Sequence, residues 1–346
     1  MSTPLLVTAD ELLLEELLRL AAAAGVTPEV AADAGVALRA WTTAPLVLVG
    51  LDAAVPLLRL APPRRPDVHL VVAAPPPDDV FRTAVRLGAQ DVVELPRSDG
   101  WLVEAFADLV DPSAVRGLTV GVVGGCGGAG ASVFATALAQ VAARRGPTLL
   151  IDADPQGAGL DRMLGLEDVD GLRWEGLEQT TGRLGARSLR EAVPAAGSLG
   201  VLTFGPGRPA SLPAFVAREA LAAARRGHET VLLDLPRCRD PLTEELASRC
   251  DRVVLVSTAT VPAAASTARV AARLPTGVRT LVVRGRGIAG RDLARATGVR
   301  DVVAMPDQRG LDEAIDVGLG PVRGRRSALA KAAEQVLSQG VGRAAA

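Results

Sequence analysis

The sequence has no tyrosine, two histidines (His69 and His228) and, among 38 basic residues, a single lysine, Lys331. Each shortage excludes a kind of chemistry. Both histidines precede strand-like runs rather than follow them, and with no tyrosine present a nicotinamide enzyme would lack a proton donor near its cofactor. With Lys331 far along the chain, no lysine-dependent step can occur near a Gly-rich loop. The three cysteines, Cys126, Cys238 and Cys250, fit no disulfide or zinc spacing, which implies a reducing compartment and no structural metal. A formal net charge of −1 gives no electrostatic push toward nucleic acid. No stretch approaches the roughly 20 uninterrupted apolar residues of a membrane span. The longest candidate, Leu12 to Val26, carries Glu15, Glu16 and Arg19 and reads as a core helix. A basic region followed by an apolar signal core is also missing from the N-terminus, so the expected location is the cytoplasm.

What is abundant is Ala, Gly, Pro and Arg, a bias of the kind GC-rich codons produce. At 346 residues and 49% hydrophobic, the chain suits two domains. Short apolar runs alternate with helical patterns, as expected of parallel sheets with helices on both faces. Strands are predicted at Pro4–Thr8, Pro45–Gly50, His69–Ala74 and Asp91–Leu95. Helices are predicted at Glu11–Ala24, Ala31–Ala40, Asp79–Leu87 and Gly100–Val110. The Pro-rich runs Ala61–Pro66 and Ala74–Pro77 read as loops. A break at Asp111, Pro112 and Ser113 sets the expected division: residues 1–112, then 113–339, then a flexible tail, 340–346. The second part predicts strands at Leu118–Val123, Thr148–Ile151, Gly200–Phe204, Thr230–Leu233, Arg252–Val256, Thr280–Val283 and Asp301–Ala304. It also predicts helices at Ser132–Ala143 and Ser327–Leu337.

In the first part, "AVRLGAQDVVELP" (Ala84–Pro96) carries a helix, a Gly-Ala turn, a short strand and an X-Pro pair. It resembles a response-regulator receiver, a flavodoxin-like α/β fold, over most of residues 4–110. The resemblance implies an acid pair after the first strand, an Asp acceptor after the third, a Ser/Thr after the fourth and a lysine before the proline. Here Asp10 and Glu11 could supply acids, but Gly50 stands at the acceptor position, Ala74 near the hydroxyl position and Leu95 in place of lysine. Asp52 lies two residues past the acceptor position. The reading is a pseudo-receiver, a docking or dimerisation module without the phosphoryl switch.

The strongest motif is "GVVGGCGGAGAS" (Gly121–Ser132), between a predicted strand and a predicted helix. Gly125 to Ser132 follow G-x-x-x-x-G-K-[ST] with Ala131 in place of lysine. Such loops turn successive backbone N–H groups toward phosphate oxygens at a helix N-terminus, and the hydroxyl ligates Mg2+. The expected nucleotide-binding set is Gly125, Gly127, Gly128, Ala129, Gly130, Ala131 and Ser132. Gly125, Gly127 and Gly130 also satisfy G-x-G-x-x-G with Asp152 closing the next strand, so the loop alone leaves a dinucleotide site open. Asp234, ending the strand in "TVLLDLPR", is placed to hold Mg2+ through water, with Ser132 as the other metal residue.

With "DADPQGAGLDRMLG" (Asp152–Gly165), "DLPR" (Asp234–Arg237), "VVLVSTATVPAAASTARVA" (Val253–Ala271) and "MPDQRGLDEAIDVG" (Met305–Gly318), residues 118–339 resemble the MinD/ParA P-loop ATPases. The particular likeness is to CpaE/TadZ proteins of Flp pilus assembly and to actinobacterial septum site-determining proteins. A receiver-like domain fused in front is itself the CpaE/TadZ arrangement. The resemblance implies a mainly parallel α/β domain, an ATP-sandwich homodimer, ATP or ADP with Mg2+, and a deviant Walker A carrying two lysines. Cys126 and Ala131 occupy those lysine positions. It also implies Asp152 as the catalytic switch acid beside Asp154, Asp234 as the Walker B acid, and an adenine-reading Asn where Arg284 stands.

With both cations gone, the expected protein is at most a weak ATPase and reads as a pseudo-ATPase. It would be a spatial regulator of septum placement or of Flp pilus or secretion assembly, with division or secretion proteins as partners. Two alternatives stay open: an active ATPase with a substitute arginine such as Arg237 or Arg239, and an NAD(P)-binding Rossmann enzyme. Plainer readings cover the rest. Cys126 is small enough for the loop, although a thiol near a helix N-terminus could be redox-sensitive. "GPGRP" (Gly205–Pro209) is a rigid loop, and Arg323, Arg325 and Arg326 are solvated surface. Membrane contact is expected to be peripheral at most, and nucleic acid is not an expected partner.

Overall fold

The computed structural model describes residues 3–73, 76–77, 79–110, 117–178, 184–206, 212–275 and 277–339. Ala74, the break at Asp111–Ser113, residues 207–209 of the "GPGRP" run and the tail 340–346 lie outside the described residues. The chain divides into two compact units, residues 1–114 with 181–187, and 115–180 with 188–346.

In the first unit, strands β1 (Leu5–Val7), β2 (Glu29–Ala31), β3 (Val47–Gly50), β4 (Val68–Ala73) and β5 (Asp91–Leu95) alternate with helices. These are α1 (Glu11–Ala23), α2 (Ala34–Ala40), α3 (Leu51–Leu60), α4 (Val80–Leu87) and α5 (Asp99–Val110). The sheet is wholly parallel, in the order β2-β1-β3-β4-β5. Strand residues alternate between faces, and each face needs its own cover. Leu5, Val7, Val49, Leu70 and Val72 pack with Ala37 of α2, Trp41 at its end, Leu57 of α3 and Val80 of α4. Leu6, Leu48, Val71 and Val93 pack with Leu17, Leu20, Leu102 and Phe106 from α1 and α5. Two helix starts are set by aspartates. Asp10 accepts from Leu12 and Leu13 N–H, and Asp33 from Gly35 and Val36 N–H.

Two elements were absent from the sequence reading. Strand β2 has two exposed residues of three and shows no apolar run. Helix α3 contains Pro56, a helix breaker by composition. It forms because Ala53, Ala54 and Leu57 are buried against the sheet.

In the second unit, β6 (Leu118–Gly124) leads into the Gly-rich loop and helix α6 (Ala131–Ala142). Then follow β7 (Thr148–Asp152), β8 (Ala195–Ala196), β9 (Leu199–Leu202), β10 (Thr230–Leu235), β11 (Arg252–Thr258), β12 (Arg279–Arg284) and β13 (Asp301–Met305). The strand order is β13-β12-β11-β6-β10-β7-β9-β8, parallel except for the short β8–β9 pair. Strand β6 therefore sits centrally, with the following strand β7 reached across β10. The loop thus opens at a switch point on the strands' C-terminal edge, where α/β sheets bind ligands. Below it, Val120, Val122, Leu232, Val254 and Val282 are buried with Phe134, Leu138 and Val141 of α6. Leu329, Ala333 and Val336 of the last helix, Ala328–Ser338, close that core. Among the described residues, no helix is long and apolar enough to cross a membrane.

Candidate nucleotide site

The loop's shape is set by its neighbours as much as by its own glycines. Gly125 N–H donates to Val256 O on β11 at 2.8 Å. A Cβ on Gly125 would collide with Thr267, whose hydroxyl bonds to Ser257 Oγ (2.8 Å) and Ala263 O (2.7 Å). Gly127 and Gly128 are exposed, and a Cβ on either would meet nothing within 4 Å. Gly128 (φ 68°) and Gly130 (φ 87°) lie in the left-handed region, which glycine enters without steric cost. Ala129 is buried between them. Gly130 caps α6 with no side-chain bond to its first turn. The N–H groups of that turn, beginning with Ala131 and Ser132, are left for an anion at the positive end of the helix.

Three acids converge on the same edge. Asp234 and Asp152 are paired across β10 and β7, and Asp154 follows two residues on. Asp234 is buried near the Ser132 hydroxyl, which opposes the rise, and is pushed up to about 7. Burial is the main cause, with repulsion from Asp152 and Asp154 adding to it. Asp152 is likewise raised, to about 6, by burial that outweighs its hydrogen bonds. Its Oδ2 accepts from Thr203 Oγ1 at 2.8 Å and its Oδ1 from Asp154 N–H at 3.1 Å. Its carbonyl accepts from Trp174 Nε1 at 2.7 Å. No group of three His, Cys, Asp or Glu side chains among the described residues could hold a metal ion by itself.

The fold thus brings together Ser132, Asp152, Asp154 and Asp234, all singled out from sequence, beneath the loop. The two positions at which the resemblance implies lysines differ. Cys126 is half-buried, packs against the core and lies 3.7 Å from Thr258 Oγ1. Ala131 is the first residue of α6 and also touches the core. Arg237 and Arg239 are exposed, as are Arg323, Arg325 and Arg326. Gly205 N–H is held by the Glu175 carboxylate at 3.0 and 3.1 Å.

Sequence reasoning missed three participants. Thr203 and Trp174 anchor Asp152 from beyond its own motif. Arg284, noticed only as a missing Asn, places Nη1 3.3 Å from where a Cβ on Gly130 would stand. No local pattern announces these contacts, because each depends on which strands become neighbours.

The first unit has an edge of its own. A cavity of about 520 Å³ is lined there by Asp10, Leu13, Glu16, Leu51, Asp52 and Leu95, among others. A Cβ on Gly50 would collide with the side chains of Asp52 and Thr8, so the acceptor position has no room for a carboxylate. The Asp52 carboxylate fills that space instead, accepting from Thr8 Oγ1 (2.8 Å) and Ala9 N–H (2.7 Å). Asp10 is spent capping α1.

Residues 7–117 match the family described as the Rv3660c-like, CheY-like N-terminal domain. Over 338 residues the chain is 37% identical to the uncharacterized protein Rv3660c of Mycobacterium tuberculosis, covering 95% of each chain. Among solved structures, it is similar to a ParA family ATPase from Chlorobium tepidum (14% identity, TM-score 0.54), covering 64% of this chain and 98% of that one. It is similar too to the septum site-determining protein MinD complexed with Mg-ADP from Pyrococcus horikoshii (18% identity, TM-score 0.54), covering 66% and 97%. The chain belongs to the Rv3660c family, with a CheY-like domain followed by a MinD/ParA-like α/β domain whose sheet is mainly parallel.

Proposed function

We propose that this chain is a spatial regulator: a MinD-like nucleotide-binding protein that places a division septum or a Flp-type pilus or secretion assembly and hydrolyses little or no ATP. The observation that carries the reading is a main-chain cradle, Gly125–Ser132, still built for phosphate while neither Cys126 nor Ala131 brings a charge to it. Backbone donors suffice to bind. Hydrolysis asks for more, since a single well-placed cation contributes roughly 10³–10⁵ in phosphoryl-transfer rate.

The donor set suits Mg2+. Ser132 supplies a hydroxyl, and Asp234 a carboxylate that burial and two neighbouring acids leave short of positive charge. Ser132 would hold the ion directly and Asp234 through water, the phosphates completing the shell. When bound, Mg2+ neutralises phosphate charge. Asp152 is the one candidate for orienting an attacking water, yet both its oxygens are engaged by Thr203 and Asp154 N–H, which favours binding over turnover. The CpaE/TadZ kinship, the division into 1–112, 113–339 and a tail, homodimerisation, cytoplasmic placement and partners from the division or secretion machinery belong to the same proposal.

Equilibrium titration of the full-length protein with ATP, ADP and NADH in Mg2+, with phosphate release followed in parallel, tests it. Binding of ATP or ADP without release above the protein-free rate is expected. Cys126→Lys with Ala131→Lys should raise affinity at least about tenfold, the worth of one charge-assisted hydrogen bond. Failure of the wild type to bind either adenine nucleotide, or a preference for NADH, would sink the reading. Brisk release of phosphate would instead favour an ATPase in which an arginine has replaced the lysines.

A further inference from the structure

The lost lysines raise a question of charge balance. Asp152, Asp154 and Asp234 crowd the loop, and a polyphosphate arriving there meets repulsion unless a cation stands nearby. Arg284 is such a cation. It ends β12, two strands from β6, and its long side chain crosses the end of β11 to reach the loop. Nη1 lies 3.3 Å from the position a Cβ on Gly130 would take. Gly130 is the left-handed residue that opens α6, so the guanidinium rests beside the first free N–H groups of the helix.

The other side of the guanidinium is fixed. Nε donates to Asp307 Oδ1 at 2.9 Å, from a residue just past the end of the adjacent strand β13. Among the described residues Nη1 has no hydrogen-bond partner. Both side chains are partly open to water, 37% for Arg284 and 66% for Asp307, so the pair adds little to stability. What it does is orientation. A planar fork held at Nε keeps its remaining N–H groups aimed one way, the arrangement by which arginine grips phosphate oxygens.

We infer that Arg284, oriented by Asp307, is the phosphate-binding cation of this site and that it has exchanged base reading for charge. The inference rests on the nucleotide-cradle reading and names its ligand class: nucleoside di- and triphosphates taken with little regard to the base. A guanidinium turned toward Gly130 is not available to read the hydrogen-bonding edge of adenine.

Calorimetric titration of the full-length protein in Mg2+ with ATP, GTP and pyrophosphate tests this. Wild type should bind ATP and GTP within about threefold of each other and bind pyrophosphate as well. Arg284→Ala should weaken all three by about ten- to a hundredfold, the range for a hydrogen bond to a charged group. Arg284→Lys should recover part of that loss, and Asp307→Asn should cost a few-fold while leaving the charge in place. Thermal midpoints of the three variants should match wild type, which separates ligand binding from folding. Unchanged ATP affinity in Arg284→Ala would overturn the inference and leave the cradle reading standing. So would a wild-type preference for ATP over GTP of about thirtyfold or more. A wild type that binds none of the three probes removes both.

Discussion

At the C-terminal edge of the first sheet an exposed carboxylate is tied to its neighbours, whereas at the same edge of the second sheet the Gly-rich loop is left open. Asp52 holds Thr8 and Ala9 and so ties the end of β1 to the start of α3. Gly125–Ser132 are held from outside, by Val256, Thr267 and the core under α6, and the first turn of α6 has no side-chain cap on its N–H groups. At both edges the positions where the family resemblances imply lysines hold other residues, Leu95 in the first and Cys126 and Ala131 in the second. The difference lies in what remains. A function that rests on one side chain can vanish in one substitution. A main-chain geometry supported by many neighbours is harder to remove, because removing it would mean repacking the domain.

The sharpest way to break this comparison is to attack the support rather than the loop. Gly125→Ala should destabilise the second domain by about 3 kcal/mol, the upper range for forcing atoms into a packed site. Gly127→Ala, which meets open space, should stay within about 0.5 kcal/mol. Amide hydrogen exchange in β6 and β11 reads both. Equal effects would mean the loop is not held from outside.

The second test uses acid. His228 is buried where the helix Ala214–Gly227 ends, bonded through Nδ1 to Ala224 O, and burial pushes it from 6.5 down to about 4. The unfolded chain then binds more protons than the folded one between those values. Stability is therefore complete above about pH 6.5 and is lost as pH falls toward 4, by about 2–3 kcal/mol. Asp152 and Asp234 tilt the other way, their raised values favouring the fold at low pH. Comparing unfolding of wild type and His228→Asn at pH 7 and pH 4.5 isolates the histidine. Parallel losses in the two proteins would remove it as the cause.

The smallest effect concerns the clasp. Asp52→Asn keeps the shape but weakens the bonds to Thr8 and Ala9, and should cost about 1 kcal/mol, discounted for solvent exposure. Exchange protection should fall at β1 and α3 and not in the second domain. An unchanged β1 would mean that Asp52 clasps nothing of consequence.

Much of this was legible beforehand. Asp91–Leu95 appears in the structure at the residues expected, and most other strands differ by one or two, because an apolar run between Gly and Pro breaks has few alternatives. Helix α3 was hidden by Pro56, and β2 by its exposed Glu29 and Val30. The turn between β6 and α6 was readable because glycine spacing is a local property. The hold of Thr203 on Asp152 was not, since it crosses 51 residues of chain through the pairing of β7 with β9.

From the chain alone followed two α/β domains and a Gly-rich turn from strand to helix with no lysine in it, since periodicity, glycine spacing and residue identity are local properties. Tertiary structure alone decided that Asp52 fills the space beside Gly50, that Asp152 is tied to Thr203, and that Arg284 reaches Gly130. Those contacts depend on strand order, and strand order is settled by burial across the whole sheet, which no short stretch of sequence contains.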